Sequence, residues 1–373
     1  MGLVKDNYRA NTVDKCHNRY DDHPYIKQLK VNMTLEILDG CIHQCDGCFV
    51  NRRGNSVDDE TLESLYGIQE MFNRNGIRFS SFILGPTDVF GSKNTLELLN
   101  NPHVIKAFGN CSTIEMVSTL DMGTFEHIQA VIAAFNAIPK QEQGFMYAMQ
   151  VVVDPYKFID NKLYRDVKYN DIKACLSLFD DDIDFKLVFN MEGRDVDLAQ
   201  VSQIARDEWN CLVEPIPSYQ RSGQKTNHKT VTDQWRKTIS DAYSSETKAS
   251  IALTIADSNQ GAGIEMTYVL SKGQFYSPPF IYDVATIRDE KFRIKDIHDI
   301  NAWTEIKKDL YLDGMNYLAK TEDCSTCPRR HICLNKHVLN YMEHYDLTQC
   351  VLPMSVLLNY SNEDIALKDH DTY

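Results

Sequence analysis

Apolar and polar positions divide the first two thirds of the chain into alternating strand-like and helix-like segments. Lys30 to Leu38 (KVNMTLEIL) reads as a strand. Thr61 to Asn75 carries apolar residues at Leu62, Leu65, Ile68, Met71 and Phe72, the spacing of an amphipathic helix. Phe79 to Leu84 reads as a second strand and stops at Gly85-Pro86, a turn signal. The alternation then continues through a strand at Thr113 to Thr119, a helix at Phe125 to Ala137, a strand at Phe145 to Val153 and a helix at Ile172 to Phe179. A strand at Phe185 to Asn190, a helix at Val196 to Glu208 and a sixth strand at Leu212 to Ile216 complete it. Such repetition implies parallel strands joined by crossover helices, an α/β barrel or open sheet. In these folds chemistry sits beyond the carboxyl ends of the strands, which is where candidate residues are sought below.

The pattern changes after about Ser245. Ile251 to Ile255, Ile264 to Leu270 and Phe275 to Tyr282 read as short strands, with Ser271-Lys272-Gly273 as a hairpin turn, and a helix follows over Ala302 to Leu318. The expected division is a polar leader (1–30), an α/β unit (31–245) and a smaller α+β appendage (246–373). The acidic run Asp180-Asp181-Asp182-Ile183-Asp184 reads as a solvated loop before a strand, with metal binding as its alternative. The polar Asn362 to Tyr373 reads as a frayed end.

Composition narrows the class. The 373 residues hold 39 Lys and Arg against 53 Asp and Glu, a formal charge of −14, with 43% hydrophobic and 25% charged residues. These are globular values that exclude disorder, collagen and disulfide miniproteins. No apolar run is long enough for a spanning helix, and the first residues lack the apolar core of a signal peptide, so a cytoplasmic location and no membrane partner are expected. The acidic balance argues against a broad nucleic-acid surface, which needs clustered Lys and Arg. Eleven cysteines are the strongest signal, because in a reducing compartment clustered Cys means metal or catalysis rather than disulfides. Cys41, Cys45 and Cys48 form one group, Cys324, Cys327, Cys333 and Cys350 another, while Cys16, Cys111, Cys175 and Cys211 are scattered and read as small hydrophobes or inert thiols.

The first group, Cys41-Ile-His-Gln-Cys45-Asp-Gly-Cys48, directly follows the first predicted strand. Three thiolates can hold three irons of a cubane cluster and leave the fourth open, whereas ferredoxin sites use four. Zinc with His43 as fourth ligand is the alternative. The segment resembles the signature of the radical S-adenosylmethionine (SAM) family. That resemblance, spanning about Val31 to Ser245, implies a partial (β/α)6 barrel. It also implies a [4Fe–4S] cluster that binds the amino and carboxylate groups of SAM and cleaves it reductively, giving a 5′-deoxyadenosyl radical that abstracts a substrate hydrogen. Many members have an aromatic residue just before the third cysteine. Here Gly47 stands there and Phe49 is the substitute for the adenine contact.

Further candidates follow from the same resemblance. Where members carry a Gly-Gly-Glu motif after the second strand, this chain has Gly85-Pro86-Thr87-Asp88, with Pro86 for one glycine and the acid displaced to Asp88. A plain Gly-Pro turn is the competing reading. Ser118, Gln150 and Asn190 are candidates for the ribose and carboxylate of SAM. Arg221, in Arg221-Ser-Gly223, is similar to an Arg-x-Gly turn of some members and would pair with a carboxylate, with a surface loop as the alternative. Glu192, Asp88 and Asp121 are candidate general acids or bases, Glu192 foremost, and Tyr219 and Tyr276 candidate relays.

The second group, Cys324-Ser-Thr-Cys327 with Cys333 and Cys350, suits structural zinc or a cluster. Beside the first motif it resembles the auxiliary-cluster region of the SPASM and Twitch subgroups, implying one fully ligated second [4Fe–4S] cluster for electron transfer or structure. His337 stands where a further cysteine would be expected. The subgroups imply oxidative modification of a peptide or protein side chain, with an electron donor such as flavodoxin or ferredoxin. About 30 residues precede the first strand, too few for a leader-binding domain. The alternatives are a radical SAM dehydrogenase or rearrangement enzyme acting on a small molecule, and a non-catalytic zinc-stabilised binding module. Activation of a glycyl-radical enzyme and modification of RNA rank below these.

Overall fold

A computed structural model describes residues 8–10, 30–40, 57–85, 87–120, 125–140, 145–181, 183–191, 196–211, 213–217, 237, 265–277 and 290–306. Its strands are β1 (Tyr8–Ala10), β2 (Lys30–Glu36), β3 (Arg78–Leu84), β4 (Thr113–Ser118), β5 (Met146–Val153), β6 (Ile183–Met191), β7 (Val213–Pro217), β8 (Glu265–Ser271) and β9 (Gln274–Tyr276). They form one nine-stranded sheet in the order β1-β6-β5-β4-β3-β2-β8-β9, with β7 also paired to β6. Every pairing is parallel except β8 with β9. Strands β2 to β7 are the six expected parallel strands of a partial (β/α)6 barrel. Three strands, β1, β8 and β9, were not expected in this sheet. β1 pairs with Ile183–Phe185 of β6, and β8 pairs with β2 along its whole length, so the hairpin after residue 264 joins the same sheet.

The helices are α1 (Asp59–Arg74), α2 (Thr95–Leu99), α3 (Pro102–Gly109), α4 (Phe125–Asn136), α5 (Pro155–Asp160), α6 (Lys162–Leu176) and α7 (Leu198–Ile204), which runs into a π-helical turn at Ala205–Trp209. Sequence periodicity found α1 and α4 nearly to the residue but began α6 ten residues late. The reason is physical. The buried face of that first half holds Arg165 and Lys168, while Leu163 is 72% and Val167 51% exposed, so its apolar pattern points the wrong way. Arg165 is accommodated by a bidentate pair with Glu208 at 2.9 and 3.0 Å and by donating to the Phe158 and Ile159 carbonyls.

Strand alternation gives the sheet two chemically different faces. On one, Val31, Met33 and Leu35 of β2 are fully buried, and their in-register neighbours pack against helices. Phe82 meets Phe108 of α3 at 5.3 Å and Tyr147 meets Phe135 of α4 at 5.7 Å, both as ring-centroid distances. The other face is polar: Asn32 accepts from Ser81 at 2.8 Å, Ser271 donates to Glu36, and Gln150 donates to Glu115. β8 is fastened by aromatic packing. Tyr268 lies 4.8 Å from Trp303 and 5.8 Å from Phe72, and its hydroxyl donates to the Trp303 carbonyl at 2.9 Å. That contact brings helical residues 300–306 onto the main core. The β8–β9 turn uses Lys272 and Gly273 with φ of 50° and 72°, the left-handed pair that a two-residue hairpin requires.

The N-terminus of α1 is capped by Asp58, which accepts from the Thr61 backbone N–H at 2.7 Å. The Thr61 backbone bond first, then its side chain, holds the Asp58 carboxyl below the ordinary carboxylate value. A depressed carboxylate stabilises the fold above its unfolded pKa, and that contribution is lost as pH falls through the folded value. Asp58→Ala is therefore expected to cost about 1 kcal/mol at pH 7. The difference from wild type in urea midpoint should shrink as pH is lowered through the acid range.

Candidate active site

Three strands end side by side at the carboxyl edge of the sheet, and the segments leaving them are tied together. After β2, residues 37–40 run to Cys41. Lys93 N–H donates to the Asp39 carbonyl at 3.0 Å, and the Asn94 side chain accepts from Asp39 N–H at 2.7 Å while donating to the Ile37 carbonyl at 2.9 Å. Gly40 takes φ of 63°, and a Cβ there would stand 2.9 Å from Lys93 Cδ, so a side chain is opposed both by strain and by space.

After β3 the chain passes Gly85 and Thr87 to Asp88. Gly85 lies close under β4, where a Cβ would sit 3.0 Å from Val117 Cγ2. Thr87 and Asp88 are each 5% exposed. The Asp88 carboxylate is surrounded by donors: Phe90 N–H at 3.0 Å and Gly91 N–H at 2.9 Å on Oδ1, Thr119 N–H at 2.6 Å and Thr119 Oγ1 at 3.0 Å on Oδ2, and Ser118 Oγ at 3.0 and 3.2 Å across both. Val89 N–H adds a backbone bond to the Val117 carbonyl at 3.0 Å. On the helix side, Lys168 of α6 is 2% exposed and donates to the Thr119 carbonyl. The residues after β3 and the end of β4 are thus held as one unit.

The structure brings Gly85, Thr87, Asp88 and Ser118 together at this edge. Ser118 is fully buried; its hydroxyl donates to Asp88 and accepts from Leu120 N–H at 2.9 Å. Gln150 lies on the polar face of the sheet, bonded to Glu115, with Lys186 Nζ 3.9 Å from the same carboxylate oxygen. Asn190 belongs to β6 and pairs in register with Ile216 of β7. Tyr276 is 8% exposed on β9 opposite Val269. Cys41, Cys45, Cys48, His43, Phe49, Pro86, Asp121, Glu192, Tyr219, Arg221, Cys324, Cys327, Cys333, His337 and Cys350 lie outside the described residues. Among the described residues, no group of His, Cys, Asp or Glu is arranged to hold a metal ion. Nor, among them, is any helix long and apolar enough to cross a membrane.

Three of the scattered cysteines behave as the sequence implies. Cys111, Cys175 and Cys211 are buried thiols outside any disulfide. Burial pushes the Cys175 and Cys211 thiols well up, with Asp88 and Asp171 adding to the effect at Cys175, so neither supplies a thiolate at neutral pH. Two residues at the edge were missed from the sequence. Ser92-Lys93-Asn94-Thr95 has the form of a helix start, but nothing in it reveals that Asn94 reaches 55 residues back. Lys168 sits in a polar stretch of α6 whose buried face the periodicity does not disclose.

The sequence matches no protein-family model and no curated protein. The fold does have solved counterparts. The structure titled "Native anSMEcpe with bound AdoMet" matches with a TM-score of 0.54 at 13% identity, over 89% of this chain and 99% of that one. "Native anSMEcpe with bound AdoMet and Cp18Cys peptide" matches with a TM-score of 0.51 at 13% identity, over 90% and 99%. A histidine-tagged form of anSMEcpe with bound AdoMet gives 0.53 at 14% identity, over 90% and 99%. The chain therefore shares the fold of these AdoMet-bound structures, the partial-barrel α/β architecture that its cysteine motif implied.

Proposed function

We propose that this chain is a radical SAM enzyme that abstracts a hydrogen from a peptide or protein side chain and so initiates its oxidative modification. The observation that carries this reading is positional. The CxxxCxxC run directly follows Gly40 in the sequence, and residues 37–40 leave the carboxyl end of β2 tied to Lys93 and Asn94, in a chain whose fold matches AdoMet-bound structures almost end to end. The peptide in one of those structures supports a peptide substrate over a small molecule.

In this reading Cys41, Cys45 and Cys48 would hold a [4Fe–4S] cluster, and Cys324, Cys327, Cys333 and Cys350, which follow the β8–β9 hairpin in the sequence, would hold a second one. The first cluster supplies the electron that cleaves SAM reductively. The protein's own part is to bind and orient. Gly85, Pro86 and Thr87 offer backbone groups to the methionine end of SAM, Phe49 offers a ring to the adenine, and Gln150, Asn190 and Arg221 offer polar groups to the ribose and carboxylate. Once a hydrogen atom has left the substrate, Glu192 would accept the proton and the second cluster the electron that the substrate radical loses in forming the oxidised product. The reducing electron comes from a donor such as flavodoxin or ferredoxin.

The test is anaerobic iron–sulfide reconstitution followed by dithionite and SAM, with 5′-deoxyadenosine and candidate peptides read by mass spectrometry. Release of 5′-deoxyadenosine and loss of two hydrogens from a peptide are the expected results. An iron-loaded chain whose cluster spectrum is unchanged by SAM would sink the radical SAM reading. Release with no mass change in any peptide, but conversion of a small molecule, would move the chemistry to that alternative.

A further inference from the structure

Asn94 stands at the N-cap of α2 yet makes no side-chain bond to that helix. Asn is among the best N-cap residues, because its side-chain oxygen can accept from a backbone N–H of the first helical turn. Here both side-chain atoms that could serve α2 or solvent are directed to residues 37–39, with Oδ1 taking the Asp39 N–H and Nδ2 serving the Ile37 carbonyl. Backbone groups at a strand exit are polar groups leaving their ladder, and they must find partners. One side chain supplies a donor and an acceptor to both sides of the same peptide segment, immediately before Cys41. Lys93 N–H on the Asp39 carbonyl and the tight approach of Gly40 to the Lys93 stem complete the junction.

The other end of this segment is fixed independently. Asp88 accepts from Phe90 and Gly91 on its own side and from Ser118 and Thr119 at the exit of β4, Ser92 Oγ donates to the Asp88 carbonyl at 2.6 Å, and Thr95 Oγ1 donates to the Val89 carbonyl at 2.7 Å. Residues 88–95 therefore form a bracket between the exit of β2 and the exit of β4.

We infer that Asn94 is a positioning residue: it fixes the direction in which the chain leaves β2 toward Cys41, relative to Gly85–Thr87 and the end of β4. The role rests on the radical SAM reading only in what is positioned, namely an iron held by the cysteines against the methionine end of SAM. The bracket itself is a property of the chain without any cluster. A shift of an ångström between two parts of one site carries a large penalty when both must engage a single small molecule.

The experiment uses the full chain as wild type, Asn94→Ala and Asn94→Asp. In cluster-free protein, hydrogen exchange is followed over peptides spanning 37–40, with urea unfolding alongside. In reconstituted protein, iron content, SAM affinity and the SAM-induced change in the cluster's electron paramagnetic resonance spectrum are measured. Asn94→Ala should exchange at Asp39 at least about tenfold faster and weaken SAM binding about tenfold, the result of losing two bonds to one segment, with iron content close to wild type. Asn94→Asp keeps the acceptor for Asp39 N–H and loses the donor to Ile37, so its exchange at Asp39 should stay near wild type and its SAM affinity fall between the two. Unchanged exchange at 37–40 in Asn94→Ala overturns the bracket. Faster exchange with unchanged SAM affinity and spectrum overturns the positioning role. A drop in affinity that merely follows a lowered urea midpoint, equal in both variants, also overturns it. A wild-type chain that holds iron but ignores SAM refutes the proposed function instead, and the exchange arm then still decides the bracket.

Discussion

A chain in which Cys41, Cys45 and Cys48 are all alanine is expected to release no 5′-deoxyadenosine, while retaining the iron of its second cysteine group. Three thiolates at this spacing leave one iron of a cubane open, and reductive cleavage requires SAM to occupy that position. Among the described residues no group of His, Cys, Asp or Glu is arranged to hold a metal, so none of those residues would substitute. On the proposed assignment of two clusters, iron should fall from about eight to about four per chain, because Cys324, Cys327, Cys333 and Cys350 are untouched. Loss of all iron would instead join the two cysteine groups into one site. Retention of two zinc ions per wild-type chain, with no iron after reconstitution, would favour the non-catalytic alternative.

The second large effect is expected at Asp88. Its carboxylate accepts from five donors on four residues and is 5% exposed, so Asp88→Ala removes the acceptor that Phe90, Gly91, Ser118 and Thr119 share. A buried unsatisfied donor costs about 1–3 kcal/mol and a broken buried charge network about 3–5 kcal/mol. A loss of about 4 kcal/mol is therefore expected, read as a lower urea midpoint. Asp88→Asn should recover only part of it, since the amide nitrogen cannot accept from the donors that face one of the two carboxylate oxygens. The same pair of variants separates a proton-transfer role from a holding role. Wild-type stability with abolished turnover in Asp88→Asn would mark Asp88 as the acid or base considered from sequence. Lost stability with turnover surviving in the folded fraction would mark it as the clasp its hydrogen bonds describe.

Local patterning made much of this fold readable. The six parallel strands were found within two residues at every end because each is a short apolar run bounded by turn residues, and α1 and α4 because their apolar stripes obey helical spacing. Elements stabilised by distant partners were not readable. β1 is three residues long and owes its place to Ile183–Phe185. The pairing of β8 with β2 joins segments more than 230 residues apart, as the Ser271–Glu36 bond records with its separation of 235. α2, α3 and α5 are five, eight and six residues long, too brief to establish a period. At the site the same division holds. The cysteine spacing and the Gly85-Pro86-Thr87-Asp88 turn are local, and both were visible. That Asp88 would be enclosed by β4, and that Asn94 would serve the exit of β2 rather than its own helix, depends on loops meeting in space.

The pairing of β8 with β2 also governs the order in which the molecule can be completed. β2 is made early, yet one of its two hydrogen-bonding edges waits for residues 265–271. Until then that edge carries unpaired backbone groups along seven residues, in a strand whose Val31, Met33 and Leu35 are fully buried in the finished fold. A bare, apolar strand edge is a template for joining another chain. Cutting the chain near residue 245 would make that exposure permanent, on the very strand that leads to Cys41. The hairpin thus acts as the closing stave of the sheet, and a fragment consisting of residues 31–245 would lack it.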